Sequence, residues 1–216
     1  MSAEHCHFQH AAWFDRRVTV TYRRLSGPEF AILAPDLVDI YITAMGYDPA
    51  IRSGRIAVWQ REIIWPGFTA VAAIERTASN TSGGTVDERV VGIAYGFIGN
   101  RERWWDQQLM RGLRESGGLS AQHSAMLRDY FEVAEIHVHP SRQGAGIGRA
   151  LLSQLLWNAP ARWALLSTPE VPNESNHAFG LYRSMGFHDI LRDFYYAGDD
   201  RPFAILGRTL PLPAGG

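Results

Sequence analysis

Glu132-Val133-Ala134-Glu135-Ile136-His137-Val138-His139-Pro140-Ser141-Arg142-Gln143-Gly144-Ala145-Gly146-Ile147-Gly148-Arg149 reads as a strand that runs into a turn of alternate glycines and then directly into a helix. Glycine tolerates positive φ and lets a ligand come close to the backbone. The unpaired NH groups of a helix's first turn attract anions. The stretch therefore predicts a βα turn that binds a phosphate-bearing ligand. Two common phosphate loops do not fit. A G-x-G-x-x-G pattern would need its third glycine where Arg149 or Leu151 stands, and a P-loop needs a lysine, which the chain lacks. What remains is Gln143-x-x-Gly146-x-Gly148, and on that pattern alone a glycine-rich turn without a ligand stays open.

One helix and one strand further on comes Ala178-Phe179-Gly180-Leu181-Tyr182-Arg183-Ser184-Met185-Gly186-Phe187, an A-x-x-L-Y-x-x-x-G-F pattern. With Val138-x-Pro140 and Gln143-x-x-Gly146-x-Gly148 in the same order and spacing, the chain resembles the GNAT superfamily of acetyl-CoA-dependent N-acetyltransferases. The likeness covers residues 131–187. It implies a single-domain α/β (α+β) fold, a mixed, mostly antiparallel twisted sheet with helices on both faces. It also implies that Gln143, Gly144, Ala145, Gly146, Ile147 and Gly148 cradle the coenzyme A pyrophosphate. Arg142 and Arg149 add charge there, and the strand Ile136, His137, Val138 splays from its neighbour to meet the pantetheine arm with free backbone groups. One of its NH groups would act as an oxyanion donor.

By the same resemblance, Tyr182 would protonate the departing thiolate. An alkylammonium of pKa near ~10.4 must lose a proton before it attacks a thioester, so a carboxylate acting directly or through water is expected. Six residues before Val138, where several family members carry a catalytic glutamate, stands Glu132. On a regular strand Glu132, Ala134, Ile136 and Val138 share one face and Glu135, His137 and His139 the other. Glu132 is the expected base, and Glu135 is held in reserve in case a bulge shifts the register. The family commonly places an asparagine three residues before the alanine of its A-x-x-L-Y motif. Here that position is Ser175, flanked by Asn173 and Asn176, so the contact passes to Ser175, or to either asparagine, Asn173 or Asn176, after a small loop shift.

Outward from this core, Val18, Val20 and Tyr22 alternate with polar residues as in a strand. Ser26-Gly27-Pro28-Glu29 has the form of a capping box, and after Pro35 the residues Leu37, Ile40, Tyr41, Ala44 and Met45 follow helical spacing. A second helix is expected over residues 49–64. A β-hairpin should follow, with strands over 68–74 and 90–98 and a turn at 79–84. Residues 101–129 read as a helical insertion, Trp163 to Ser167 as a buried strand reached by a crossover, and 187–196 with 202–210 as a closing strand pair. Residues 1–15 are expected to be a flexible N-terminus, 16–210 the single domain, and 211–216 a loose tail.

Composition agrees with one globular domain: 216 residues, 46% hydrophobic and 20% charged, too apolar for disorder. No run reaches the ~18 apolar residues of a membrane span, and no secretory signal is visible, so a cytoplasmic location is expected. A formal charge of -1 argues against nucleic acid or membranes as partners. Cys6 is the single cysteine, which rules out a disulfide framework. All 21 basic residues are arginine, best explained by a bias toward GC-rich codons.

The expected partners are acetyl-CoA and an amine, with no metal, and a homodimer is left open. A small-molecule amine is favoured because an insertion can close over a small pocket, and a protein lysine or N-terminus follows. A lining drawn from Tyr41, Tyr47, Trp59, Trp65, Trp104 and Trp105 with Asp48, Glu62, Glu102 and Asp106 would suit a cation. Two rival classes remain: a non-catalytic acetyl-CoA-binding protein, and a metal-dependent enzyme built on His137, His139 and Glu135.

Overall fold

The computed structural model describes residues 17–78 and 86–212. Strand β1 (Arg17–Leu25) leads into helix α1 (Gly27–Met45), and α2 (Arg52–Glu62) follows a short turn of 3-10 helix at Pro49–Ile51. Next come β2 (Thr69–Ala78), β3 (Val86–Ile98), the inserted helices α3 (Trp104–Glu115) and α4 (Ala121–Met126), and β4 (Tyr130–Val138). The chain closes with α5 (Ile147–Leu156), β5 (Trp163–Pro169), α6 (His177–Ser184), β6 (His188–Tyr195) and β7 (Pro202–Thr209). The turn expected at 79–84 and the N-terminal residues 1–15 lie outside the described residues. Of the C-terminal segment 211–216, Leu212 packs against the core formed under α5.

Helix α1 begins at Gly27, where the capping box marks a start, ten residues before Leu37, the first of its periodic residues. The capping box forms in full, with Glu29 Oε2 accepting the Ser26 NH at 2.8 Å, and Pro35 lies inside the helix. A proline there removes the NH that would bond to the carbonyl four residues back. That carbonyl, on Ala31, instead accepts a hydrogen bond from Gln60 Nε2 of α2 at 2.9 Å. The helix continues through the proline because its neighbour supplies the missing donor.

The seven strands form one sheet in the order β1-β2-β3-β4-β5-β7-β6. All neighbours are antiparallel except β4 and β5, joined through the α5 crossover. The parallel pairing spans only Tyr130, Phe131 and Glu132 against Trp163, Ala164 and Leu165. Beyond it the two strands part, and the remainder of β4 has an open edge.

Side chains leave the sheet in two directions. Val71, Ala73, Phe131, Val133 and Leu166 pack under Leu151 and Leu155 of α5 and Phe179 of α6. On the other face Ala72, Ile74, Ile93 and Tyr95 pack under Phe30, Leu37 and Trp59 of α1 and α2. On that same face, Tyr130, Leu165, Leu191 and Ile205 pack under Leu109 and Leu113 of α3. The insertion is therefore a second half of the core layer on that face.

Helix α5 carries no basic residue in its last turn. Arg24 of β1 takes that role, donating from Nη2 to the carbonyls of Gln154 at 2.7 Å and Trp157 at 2.9 Å. A cation at a helix C-terminus stabilises by up to about 1 kcal/mol at an exposed site. Arg24→Ala should lower unfolding stability by about that amount in urea titration, with the slope unchanged; an unaltered midpoint would show that this contact adds nothing.

Candidate active site

The glycine turn is built by backbone geometry. Gly144 and Gly146 both have φ of 78°, a left-handed conformation that a side chain disfavours. Gly146 is the N-cap of α5, and no side chain caps that end, so the first-turn NH groups point outward without a protein partner. Gln143 Nε2 donates to the Val138 carbonyl at 3.1 Å and ties the loop to the end of β4.

A groove of about 690 Å³ opens at this point. Of the residues expected to meet the coenzyme, Ile136, His137, Val138, Arg142, Gln143, Gly144, Gly146, Ile147, Gly148, Arg149 and Asn176 line it, and so does Tyr182. Ala145 and Ser175 do not. Asn176 caps α6, its Oδ1 accepting the Phe179 NH at 2.9 Å. Arg149 donates to Ser184 Oγ at 2.5 Å, and Arg142 donates to Glu75, a buried carboxylate of β2 that also holds Arg89. Ala44 and Met45 at the end of α1, and Ser184, line the groove without having been foreseen; no motif marks them.

The expected alternation along β4 does not hold. Tyr95 pairs with Glu135 and Gly96 with Val133, so Ala134 is an extra residue in a bulge. Gly96 permits this, because a Cβ there would run into the Glu132 carbonyl and the Phe131 ring. The bulge turns Ile136 and Val138 toward α5 together with Phe131 and Val133. It leaves Glu132, Glu135 and His137 on the opposite face. The two glutamates are thus neighbours on one face rather than alternatives on two.

Glu132 is 6% exposed and lies where the α1–α2 half of that face meets the α3 half. It does not line the groove. Arg103, the residue before α3, donates to Glu132 Oε2 at 3.0 Å and stands 3.6 Å from Glu62 Oε1 of α2. Tyr95 OH donates to Glu62 Oε2 at 2.6 Å. Burial pushes the Glu132 carboxyl up to about 8, against the pull of Arg103, and Glu62, Asp106 and Glu135 push the same way as burial. Glu62 is also raised, chiefly by burial. Tyr182 is held well above an ordinary phenol by burial and by the charge of Glu135, and so stays protonated near neutrality.

His137 Nε2 meets Glu135 Oε2 at 2.6 Å, and its ring packs edge-on against Tyr41. His139 lies in the following turn, with Nδ1 on Ser141 Oγ at 2.8 Å. Among the described residues no group of three or more His, Cys, Asp or Glu side chains is placed to hold a metal ion, and no helix is long and apolar enough to cross a membrane.

The aromatic residues offered as an acceptor lining divide. Trp59 is 0% exposed and belongs to the core. Trp105 donates to Tyr196 OH, and Trp104, 54% exposed, stacks on the same tyrosine. Trp65 lies against the Arg103 guanidinium. Tyr47 accepts a hydrogen bond from Arg201 of the β6–β7 turn at 3.2 Å. Asp48 caps the turn at Pro49–Ile51, Glu102 is exposed, and Asp106 is buried against Tyr130. Arg103 escaped the sequence reading because its partners are 29 and 41 positions away and nothing in its local pattern marks it.

Known proteins are similar to this chain in sequence and in fold. Residues 85–189 match the model of the GNAT acetyltransferase domain. The chain is 39% identical over 188 residues to a GCN5-like protein acetyltransferase of Mycobacterium tuberculosis, covering 82% of this chain and 91% of that protein. Over 67 residues it is 45% identical to the N-alpha-acetyltransferase RimI of the same organism, covering 31% of this chain and 40% of that one. Among solved structures, Arabidopsis thaliana NAA60 in complex with a bisubstrate analogue superposes with a TM-score of 0.54 at 15% identity, covering 89% of this chain and 100% of that one.

Proposed function

This chain belongs to the GNAT acetyltransferase family, and from that premise we propose that it transfers the acetyl group of acetyl-CoA to a primary amine on a protein. The observation that carries the reading is the groove that joins the uncapped start of α5 to the open edge of β4, with Tyr182 in its wall. First-turn NH groups and the glycine loop suit a pyrophosphate, and the free β4 backbone suits the amides of a pantetheine arm.

Coenzyme A enters from the α5 side and the amine from the face that carries Glu132, the two meeting in the gap between β4 and β5. Glu132 takes a proton from the acceptor's ammonium group directly or through water, the freed amine nitrogen attacks the thioester carbon, and the C–S bond breaks as Tyr182 gives its proton to sulfur, the surplus proton on nitrogen replacing it on the phenolate. A β4 backbone NH steadies the oxyanion. The carboxyl groups of Glu62 and Glu132, which share Arg103, with Glu135 close enough to act on Glu132, favour a cationic acceptor.

The acceptor class rests on two points. The 39% identical relative is described as a protein acetyltransferase. The ground for a small acceptor was an insertion closing over the pocket, whereas α3 is buried on β6 and β7.

Melting with and without acetyl-CoA, with NADH and ATP as controls, tests the cofactor. At 100 times the dissociation constant the stabilisation should be about 2.7 kcal/mol, and no shift specific to acetyl-CoA sinks the reading. Release of free thiol with amine-bearing peptides but not with small amines supports the protein acceptor. Release with small amines alone returns the function to a small-molecule acetyltransferase, and no release with any amine leaves a binding protein.

A further inference from the structure

We propose that Arg103, delivered by the inserted helix, is a positioning residue that sets the protonation of Glu132 through a buried chain of contacts, Glu132 to Arg103 to Glu62 to Tyr95. The proposal rests on the reading of Glu132 as the base and adds a residue that no motif of the family marks.

The chain crosses four elements. Glu132 lies on β4, Arg103 at the start of α3, Glu62 at the end of α2 and Tyr95 on β3. Arg103 makes the one ion pair to Glu132 among the described residues, and its side chain is only 13% exposed. Its guanidinium is fixed by its surroundings: it stacks 3.8 Å from the centre of the Phe97 ring and 5.0 Å from that of Trp65. Phe97 is the cross-strand partner of Glu132, so the bridge that pairs the strands also places the cation. The backbone of Arg103 is held as well, its NH donating to Asn100 O and its carbonyl accepting the Gln107 NH.

A guanidinium shared between two carboxylates compensates each of them only in part. The other groups facing Glu132 are Asp106 of α3, Glu135 and Tyr130 of β4, Tyr196 after β6, and Glu62 itself; Arg55 of α2 acts on Glu62. All the carboxylates oppose ionisation of Glu132, and Arg103 favours it. Removing the cation and removing the competing carboxylate must therefore shift Glu132 in opposite directions. A contact that merely held α3 in place would not produce opposite signs.

The test is the pH profile of kcat at saturating acetyl-CoA for Arg103→Met, Arg103→Lys and Glu62→Gln, with Glu132→Gln alongside. Arg103→Met should move the ascending limb toward alkaline pH by about one unit or more, the usual effect of an opposite charge at this range. Below the midpoint that is about a tenfold loss of rate at fixed pH. Arg103→Lys should keep the midpoint close to that of the wild type, and Glu62→Gln should move the limb toward acid pH. A folded Arg103→Met enzyme with an unmoved midpoint overturns the proposal while leaving Glu132 as the base. If Arg103→Met does not fold, Glu62→Gln decides, and an unmoved or alkaline limb there overturns it too. Near-normal activity in Glu132→Gln removes the base assignment and this proposal together.

Discussion

Glu132→Gln is expected to lower kcat by about 100- to 10,000-fold, the usual worth of a positioned general base, while the stabilisation by acetyl-CoA is retained. Retention follows because Glu132 lies outside the groove proposed for the coenzyme. The direction of the pH dependence follows from the raised carboxyl. A base acts in its charged form, and with the group pushed up to about 8 that form is a minor species at pH 7. The wild-type rate should therefore climb through pH 8, and the glutamine variant should lack that limb.

Stability should carry the complementary signature. A group raised from 4.5 to about 8 on folding contributes stability that is fully present below the lower value and is lost as pH rises through the higher one. The wild-type protein should lose stability between about pH 5 and pH 8, and the permanently neutral Glu132→Gln should lose less. Parallel melts across that range read this directly, and equal slopes for the two proteins would contradict the burial argument.

Tyr182→Phe is the second large effect. The substitution removes one oxygen and keeps the ring, which packs 6.0 Å from that of Phe187, so the protein should fold and bind acetyl-CoA as before. On the proposed mechanism it should lose the proton for sulfur. A thiolate of ordinary pKa near ~8.5 is a tolerable leaving group even without an acid, so the loss in kcat should lie near about 100-fold, the lower end of the range for general acids. Because burial and Glu135 hold the phenol above its ordinary value, wild-type activity should show no descending limb from this group below pH 10. A Tyr182→Phe enzyme with unchanged kcat would assign the proton to another donor.

Much of the architecture was legible in the chain because it is written in local spacing. The period of two in Val18, Val20 and Tyr22 and the capping box at Ser26 and Glu29 each act within a few residues. So do the glycine loop and the A-x-x-L-Y helix, whose conformations depend on backbone freedom and capping rather than on remote partners. Pro35 is the exception. Its place inside α1 was not legible, because the donor that compensates it, Gln60, belongs to another helix.

The order of elements, the strand-turn-helix that makes the groove, and most of the residues that line it follow from local patterns in the chain. The tertiary structure alone decided the faces of β4 and the electrostatics of Glu132. The bulge at Ala134 depends on the bare backbone of Gly96 across the sheet, and it reverses an alternation that a single strand would obey. The charge on Glu132 depends on burial and on Arg103, Glu62 and Asp106, which reach it from two other helical segments. Burial and Coulomb energy depend on distance in space, and for these residues distance along the chain is no guide to it.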